Sequence, residues 1–191
     1  DKEGKITVEN LRKSLTPHTK IVSLAHVTNV LGYVLPVKEI AKVVHEAGAL
    51  FSLDGAQSVP HMPINVKDLD VDFLSFSGHK MLGPTGIGIM YGKYDLLKEM
   101  DPYLVGGGMN DKFNACGLFT YLLPPARFEA GTINLEGIYG LGAAVDYLSS
   151  LGMENVNQHE KELKHYAIEK LKETGNAIIY NENSESGIVT F

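Results

Sequence analysis

The sequence predicts an α/β protein, layered around a mainly parallel sheet. Three observations point there. Short apolar runs alternate with stretches whose apolar residues recur at helical spacing. The runs are continuous rather than alternating, as strands covered on both faces require. Three of the runs end in clusters of polar residues, and open α/β sheets build their sites beyond the carboxyl ends of their strands.

The elements follow in order. Residues 6–15 form a short helix stopped at Thr16-Pro17, and residues 20–26, KIVSLAH, form a strand leading into the turn NVLGYVLP. Residues 36–47 place apolar side chains at 37, 40, 41, 44 and 47, with Pro36 suited to the first helical position and Gly48 to the stop. Strands are expected over 49–53, 72–76 and 86–91, with a turn at 60–63 and a helix over 94–100. Residues 106–125 read as loop, with three consecutive glycines and a Pro pair. A helix over 137–151 carries apolar positions 138, 141, 145 and 148. From Met153 a charged amphipathic helix follows, with 156, 163, 166, 167 and 171 on one face, and then short strands in NAIIYN and GIVTF. The change of composition places a domain boundary near Gly152. Residues 1–152 are one domain, incomplete at its amino end, and residues 153–191 begin a small α+β domain.

The chain has 191 residues, 44% of them apolar, and a formal charge of −6. No general attraction to nucleic acid or anionic membrane is expected from that balance. No stretch approaches the roughly 18 apolar residues of a membrane-spanning helix. The single cysteine, Cys116, excludes a disulfide within the chain and suits a reducing, cytoplasmic setting. The polar start DKEGKITVEN lacks a Met, and the chain reads as a piece of a longer protein.

The polar strand ends carry the chemistry. The first strand ends at His26 and leads to Asn29; the second ends at Asp54, with Gln57 beyond; the third ends in Ser75, Ser77, His79 and Lys80. Pyridoxal phosphate chemistry needs such a set. The cofactor's aldehyde takes a lysine amine, its ring nitrogen pairs with a carboxylate, and its phosphate takes hydroxyls and a cation. Glycines 83, 86 and 88 after the lysine are expected to let backbone approach a bound group. HEKELKH fails the zinc motif, because its second histidine comes six positions on rather than four, so no metal site is predicted. GPTGIG lacks the ending of a phosphate loop, and GLGAAV is expected to allow close helix packing. His18, His45 and His61 read as isolated.

Four motifs, HVTNVLG (26–32), SLDGAQSVPH (52–61), DFLSFSGHKMLGPTGIGIMYG (72–92) and RFEAGT (127–132), together resemble the SufS-like, group II cysteine desulfurases. These belong to the class V aminotransferases of fold type I pyridoxal phosphate enzymes. The resemblance spans residues 5–160 or so and implies a three-layer sandwich with a mainly parallel central sheet. It implies that Lys80 binds the cofactor covalently and that Asp54 pairs with its ring nitrogen. By the same resemblance Ala56 packs on the ring, Gln57 lies near the phenolic oxygen, and Ser77 and His79 hold the phosphate. Asn29 matches an asparagine near the substrate's carboxylate. Thr132 matches a threonine that reaches the phosphate in the neighbouring subunit, which implies a homodimer. The implied substrate is L-cysteine, converted to alanine, with the sulfur passing to an acceptor protein for iron–sulfur cluster assembly.

Three departures bear on that reading. The family's nucleophilic cysteine and its substrate-carboxylate arginine would fall beyond Phe191, and Cys116, in FNACGLF, lies outside the nucleophile's context. Met109-Asn110 stand where the family usually has an acidic residue. The 191-residue polypeptide alone is therefore expected to lack desulfurase activity. Other readings are a related class V enzyme, such as a selenocysteine lyase or an amino-acid epimerase, and a non-catalytic cofactor-binding or dimerisation fragment.

Overall fold

The structure, a computed structural model, describes residues 4–191. Its elements are α1 (Val8–Ser14), β1 (Ile21–Ala25), α2 (Val37–Glu46), β2 (Leu50–Asp54), α3 (Val66–Leu69), β3 (Phe73–Ser77), β4 (Gly88–Gly92), α4 (Tyr94–Glu99), β5 (Asn110–Phe113), β6 (Phe119–Tyr121), α5 (Leu135–Leu151) and α6 (Met153–Glu173). The main sheet has the order β1-β2-β3-β4, with β1, β2 and β3 parallel and β4 antiparallel to β3. The α/β architecture with a mainly parallel sheet is therefore observed.

The parallel step from β1 to β2 needs a crossover, and α2 supplies it. Val37, Ile40, Ala41, Val43 and Val44 are buried on α2, with Pro36 as cap rather than first helical residue. Val37, Ile40, Ala41 and Val44 pack with Phe51, Leu53, Val71 and Leu74 into one core. Phe51, Ile40 and Leu53 have no exposed surface. Each such side chain contributes about 1.5–3 kcal/mol of apolar burial. Gly48, at φ +73°, turns the chain from α2 into β2, a conformation glycine adopts without steric cost.

The amino ends of the strands are closed by an ion network. Asp72 is 4% exposed; its Oδ2 accepts from His45 Nε2 at 2.9 Å and from the Phe51 amide at 2.7 Å. Its Oδ1 lies 2.8 Å from Lys93 Nζ, and Lys93 also reaches Asp70 at 2.8 Å. His45 is thus paired with two carboxylates, Asp72 and Asp70, and is not the isolated histidine expected.

Several boundaries differ from expectation. β3 begins at Phe73, and β4 runs from Gly88 rather than from residue 86. The short α3 was not foreseen; Asn65 starts it by accepting from the Lys67 and Asp68 amides. Within the expected loop, β5 and β6 form a hairpin, steadied by the Phe119 and Tyr121 rings at 5.1 Å edge to face. Asn134 starts α5 two residues early by accepting from Gly137 N–H at 2.9 Å. On α5 the buried positions are Gly137, Leu141, Ala144 and Leu148, while Ile138 and Val145 are exposed.

The carboxyl-terminal part departs most. On α6, Leu163 and Tyr166 of the expected apolar face are exposed, and Lys164 and Ile168 are buried instead. NAIIYN and GIVTF do not form strands. The reason is Asn181, 1% exposed, whose side chain takes the positions a partner strand would occupy. Its Oδ1 accepts from Thr190 N–H at 2.9 Å and its Nδ2 donates to Ile188 O at 2.7 Å, leaving Tyr180 N–H to Thr190 O as a single backbone bond.

Candidate active site

The register brings three strand ends side by side. Ala25 lies opposite Asp54, and Asp54 opposite Ser75. The His26 amide donates to Asp54 O at 2.9 Å and the Gly55 amide to Ser75 O at 2.8 Å, so the pairing continues just past the strands. With strands about 4.8 Å apart, the polar groups after β1, β2 and β3 share one edge of the sheet.

Each predicted residue can be placed. Asp54 is exposed and half-committed: its Oδ1 accepts from the Ala56 amide at 2.8 Å, a turn that also fixes Ala56, and its Oδ2 carries no hydrogen bond among the described residues. Gln57 follows in the same turn and is half-buried. Ser77 ends β3 opposite Gly88. His79 and Lys80 sit in a single 3₁₀ turn over Gly78–Lys80, both exposed, and Lys80 has no hydrogen-bond or ion-pair partner among the described residues. Asn29 is exposed on the turn after β1, which the Val27–Val34 bridge closes. Thr132 is exposed on the loop before α5 and shares no hydrogen bond with the strand-end group.

Gly78 and Gly83, on either side of Lys80, have a packing task within the fold. A Cβ at Gly83 would stand 2.9 Å from Gly78 O and 3.0 Å from Leu141 of α5; one at Gly78 would stand 2.9 Å from Ile87. They let the lysine turn fold on itself and seat against α5, where Met81, Leu141 and Leu148 form a second core. Gly140, in GLGAAV, does allow close packing: its Cβ would meet Pro84 of the lysine loop at 2.5 Å.

Two clefts flank the site. One, of about 250 Å³, is lined by Gln57, His61, Glu160 and Ile188 among others; the second, of about 280 Å³, takes in Lys80, Tyr147, His61 and Glu160. The His61–Glu160 pair, Nδ1 to Oε1 at 2.7 Å, borders both. His61 is therefore not the isolated histidine expected. Ninety-nine residues separate the pair, so no local pattern signals it.

His26 is the other residue whose state the fold reveals. It is 6% exposed, its Nδ1 is buried without a partner among the described residues, and burial lowers its pKa to about 4. Met109, the departure after the glycines, is fully buried, and its Sδ accepts from the Gly106 amide at 3.1 Å. Cys116 is exposed at the β5–β6 turn, where Asn114 Oδ1 accepts its amide.

A lysine without a partner, a carboxylate with one free oxygen, and hydroxyl and imidazole groups on the adjoining turn fit the donor set of a bound pyridoxal phosphate. A parallel sheet with that set at its carboxyl edge is a site suited to pyridoxal phosphate. The chain belongs to the aminotransferase class-V family, which it matches over residues 1–191. A probable cysteine desulfurase of Halalkalibacterium halodurans is 46% identical over 192 residues, covering 100% of this chain and 47% of the relative. The apo cysteine desulfurase of Thermococcus onnurineus NA1 superposes with TM-score 0.90 at 37% identity, over 99% of this chain and 48% of that one. A variant of C-DES with glycine covalently linked to its PLP cofactor superposes with TM-score 0.79 at 30% identity, over 88% of this chain and 45% of that one. The chain thus spans about half the length of the relatives it matches.

Proposed function

We propose that the protein containing this chain is a cysteine desulfurase of the SufS-like group, converting L-cysteine to L-alanine and passing the sulfur to a cysteine thiolate and then to an acceptor protein. The observation that carries the reading is the unpartnered Lys80 on the turn after β3, at the same sheet edge as the half-committed Asp54.

When bound, pyridoxal phosphate supplies an aldehyde and an electron-withdrawing ring. Lys80 is the amine that would hold that aldehyde, and its amine would move a proton at the substrate's Cα. Asp54 Oδ2 holds a proton at the ring nitrogen, while Oδ1 stays tied to the Ala56 amide and fixes the carboxylate's direction. Ala56 packs on the ring and Gln57 orients the phenolic oxygen. Ser77 and His79 bind the phosphate, joined by Thr132 from the second subunit of a homodimer. Asn29 orients the substrate carboxylate.

Residues 1–152 form the cofactor-binding domain and 153–191 the start of the small domain, joined at Gly152, which lies between α5 and α6 at φ +82°. The cellular role that suits this activity is cytoplasmic iron–sulfur cluster assembly. The test is alanine formation from L-cysteine by the full-length protein, with and without added pyridoxal phosphate. Turnover of selenocysteine but not of L-cysteine, or no alanine at all, overturns the assignment.

A further inference from the structure

We propose that residues 181–190 form a clamp that positions Asn29, so that Ser186, Asn181 and Thr190 are positioning residues for the substrate; the inference rests on the desulfurase reading above. The turn that carries Asn29 is closed at its base by Thr28 and Tyr33. Thr28 N–H donates to Tyr33 O at 3.0 Å, Tyr33 N–H to Thr28 Oγ1 at 3.0 Å, and Gly32 N–H to Thr28 O at 2.9 Å. Those bonds leave the outward carbonyls of the turn to find other donors.

The clamp supplies them one for one. Three successive carbonyls, of Val30, Leu31 and Gly32, accept from Thr190 Oγ1, from Asn181 Nδ2 at 2.9 Å and from Ser186 Oγ at 2.7 Å. Asn181 and Ser186 are 1% and 5% exposed, so water cannot take over their bonds without opening the contact. Fit is as close as the bonding: a Cβ on Gly32 would lie 2.4 Å from Ser186 Oγ, and Gly32 holds φ +64°. The clamp is in turn fastened to α6. Lys164 Nζ donates to Asn181 O at 3.2 Å and to Ser184 O and Oγ at 2.6 Å each. A continuous path of hydrogen bonds therefore runs from α6 to the backbone beside Asn29. The turn is held at base and back, and the Asn29 side chain is the part left free to meet a ligand.

The test uses the full-length protein with Ser186→Ala, Thr190→Val and the hydroxyl-restoring Thr190→Ser. Lys172→Ala, which removes an exposed pair with Glu182 on the same segment, is the structural control. Losing one hydrogen bond to the turn raises KM for L-cysteine about five- to tenfold. In Ser186→Ala and Thr190→Val, kcat and the absorbance of the lysine-bound cofactor stay at the wild-type level. Thr190→Ser and Lys172→Ala keep the wild-type KM. Amide exchange of residues 30–33, read by mass spectrometry, speeds up in Ser186→Ala and Thr190→Val. A KM within twofold of wild type in Thr190→Val overturns the proposal, as does equal loss in Lys172→Ala. If Ser186→Ala does not fold, the Thr190 pair decides alone. Wild-type protein without cysteine turnover sinks the desulfurase reading and the substrate role of the clamp with it; the exchange measurement still shows whether the contact holds the turn.

Discussion

Burial of His26 makes the protein lose stability on mild acidification. The side chain is 6% exposed and its Nδ1 has no partner, so charging it inside the fold is opposed and its pKa drops from 6.5 to about 4. The unfolded chain leaves that imidazole in water, where it takes a proton near pH 6.5. Between those two values the unfolded state binds more protons than the folded one, so stability falls as pH falls. At about 1.36 kcal/mol per pH unit, the full loss by pH 4 is about 3 kcal/mol. The assay is urea unfolding of wild type and His26→Leu at steps from pH 7 to pH 4. His45 and His61 sit beside carboxylates in both proteins, so the difference between the two curves isolates His26. Wild type is expected to lose about 3 kcal/mol more than the variant over that range. Parallel curves, or an NMR titration midpoint for His26 near its ordinary 6.5, would refute the reasoning.

Other substitutions test the site and its supports. Lys80→Ala is expected to abolish the absorbance band near roughly 410–420 nm that added pyridoxal phosphate gives with the full-length protein. Borohydride reduction of wild type followed by peptide mapping should place the label on Lys80, and a label spread over surface lysines would contradict the assignment. Gly83→Ala forces a methyl group to 2.9 Å from Gly78 O, costs about 1–3 kcal/mol in the unfolding midpoint, and weakens cofactor binding by shifting the lysine turn. Asp72→Asn removes the charge from a buried acceptor of three bonds and costs about 2–3 kcal/mol at pH 7. Burial would push the Asp72 carboxyl up, but the bonds from Lys93, the Phe51 amide and His45 outweigh it and hold the pKa below the usual value. Its stabilisation is therefore present above pH ~3.9 and lost as pH falls through the lower folded value, and Asp72→Asn should flatten that part of the acid limb. Lys93 is 37% exposed on its side chain, so its share of the loss is screened and small.

The sheet and the residues at its carboxyl edge were legible because their signals are local. The period of α2, the continuous apolar runs, and the placement of Asp54 at a strand's last residue and of Lys80 one turn past another each lie within a dozen residues of sequence. What escaped depends on long-range contacts. Glu160 borders the site because α6 returns to His61, and His45 is paired because β3 and the chain after β4 bring Asp72 and Lys93 to it. NAIIYN and GIVTF have strand composition, yet one buried asparagine occupies the ladder positions between them. The stripe on α6 misled because Lys164 carries its ammonium inward to three oxygens, a role that no periodicity of apolar residues marks. Gly83 was visible, but its packing role was not: the atoms it makes room for belong to α5 and to the turn itself.

The two ends of the sheet differ in how completely their polar groups are satisfied. At the amino ends, Asp72 uses both oxygens on three donors, and Lys93 and His45 each bridge two carboxylates. Such saturation leaves nothing for a ligand and serves to fix strand against helix. At the carboxyl ends, among the described residues, Lys80 has no partner, Asp54 has one free oxygen, and His26 keeps a buried nitrogen unpaired. Folding gains nothing from the unpaired His26 nitrogen, since an unpaired buried polar atom costs about 1–3 kcal/mol. Lys80 and Asp54 are exposed and keep their solvation, so leaving them without protein partners costs the fold little and leaves both available to a ligand. Stability is invested at one edge of the sheet, and binding capacity is held in reserve at the other. That asymmetry separates the acidic cluster around Asp72 from the functional edge, although both collect charged residues at strand ends.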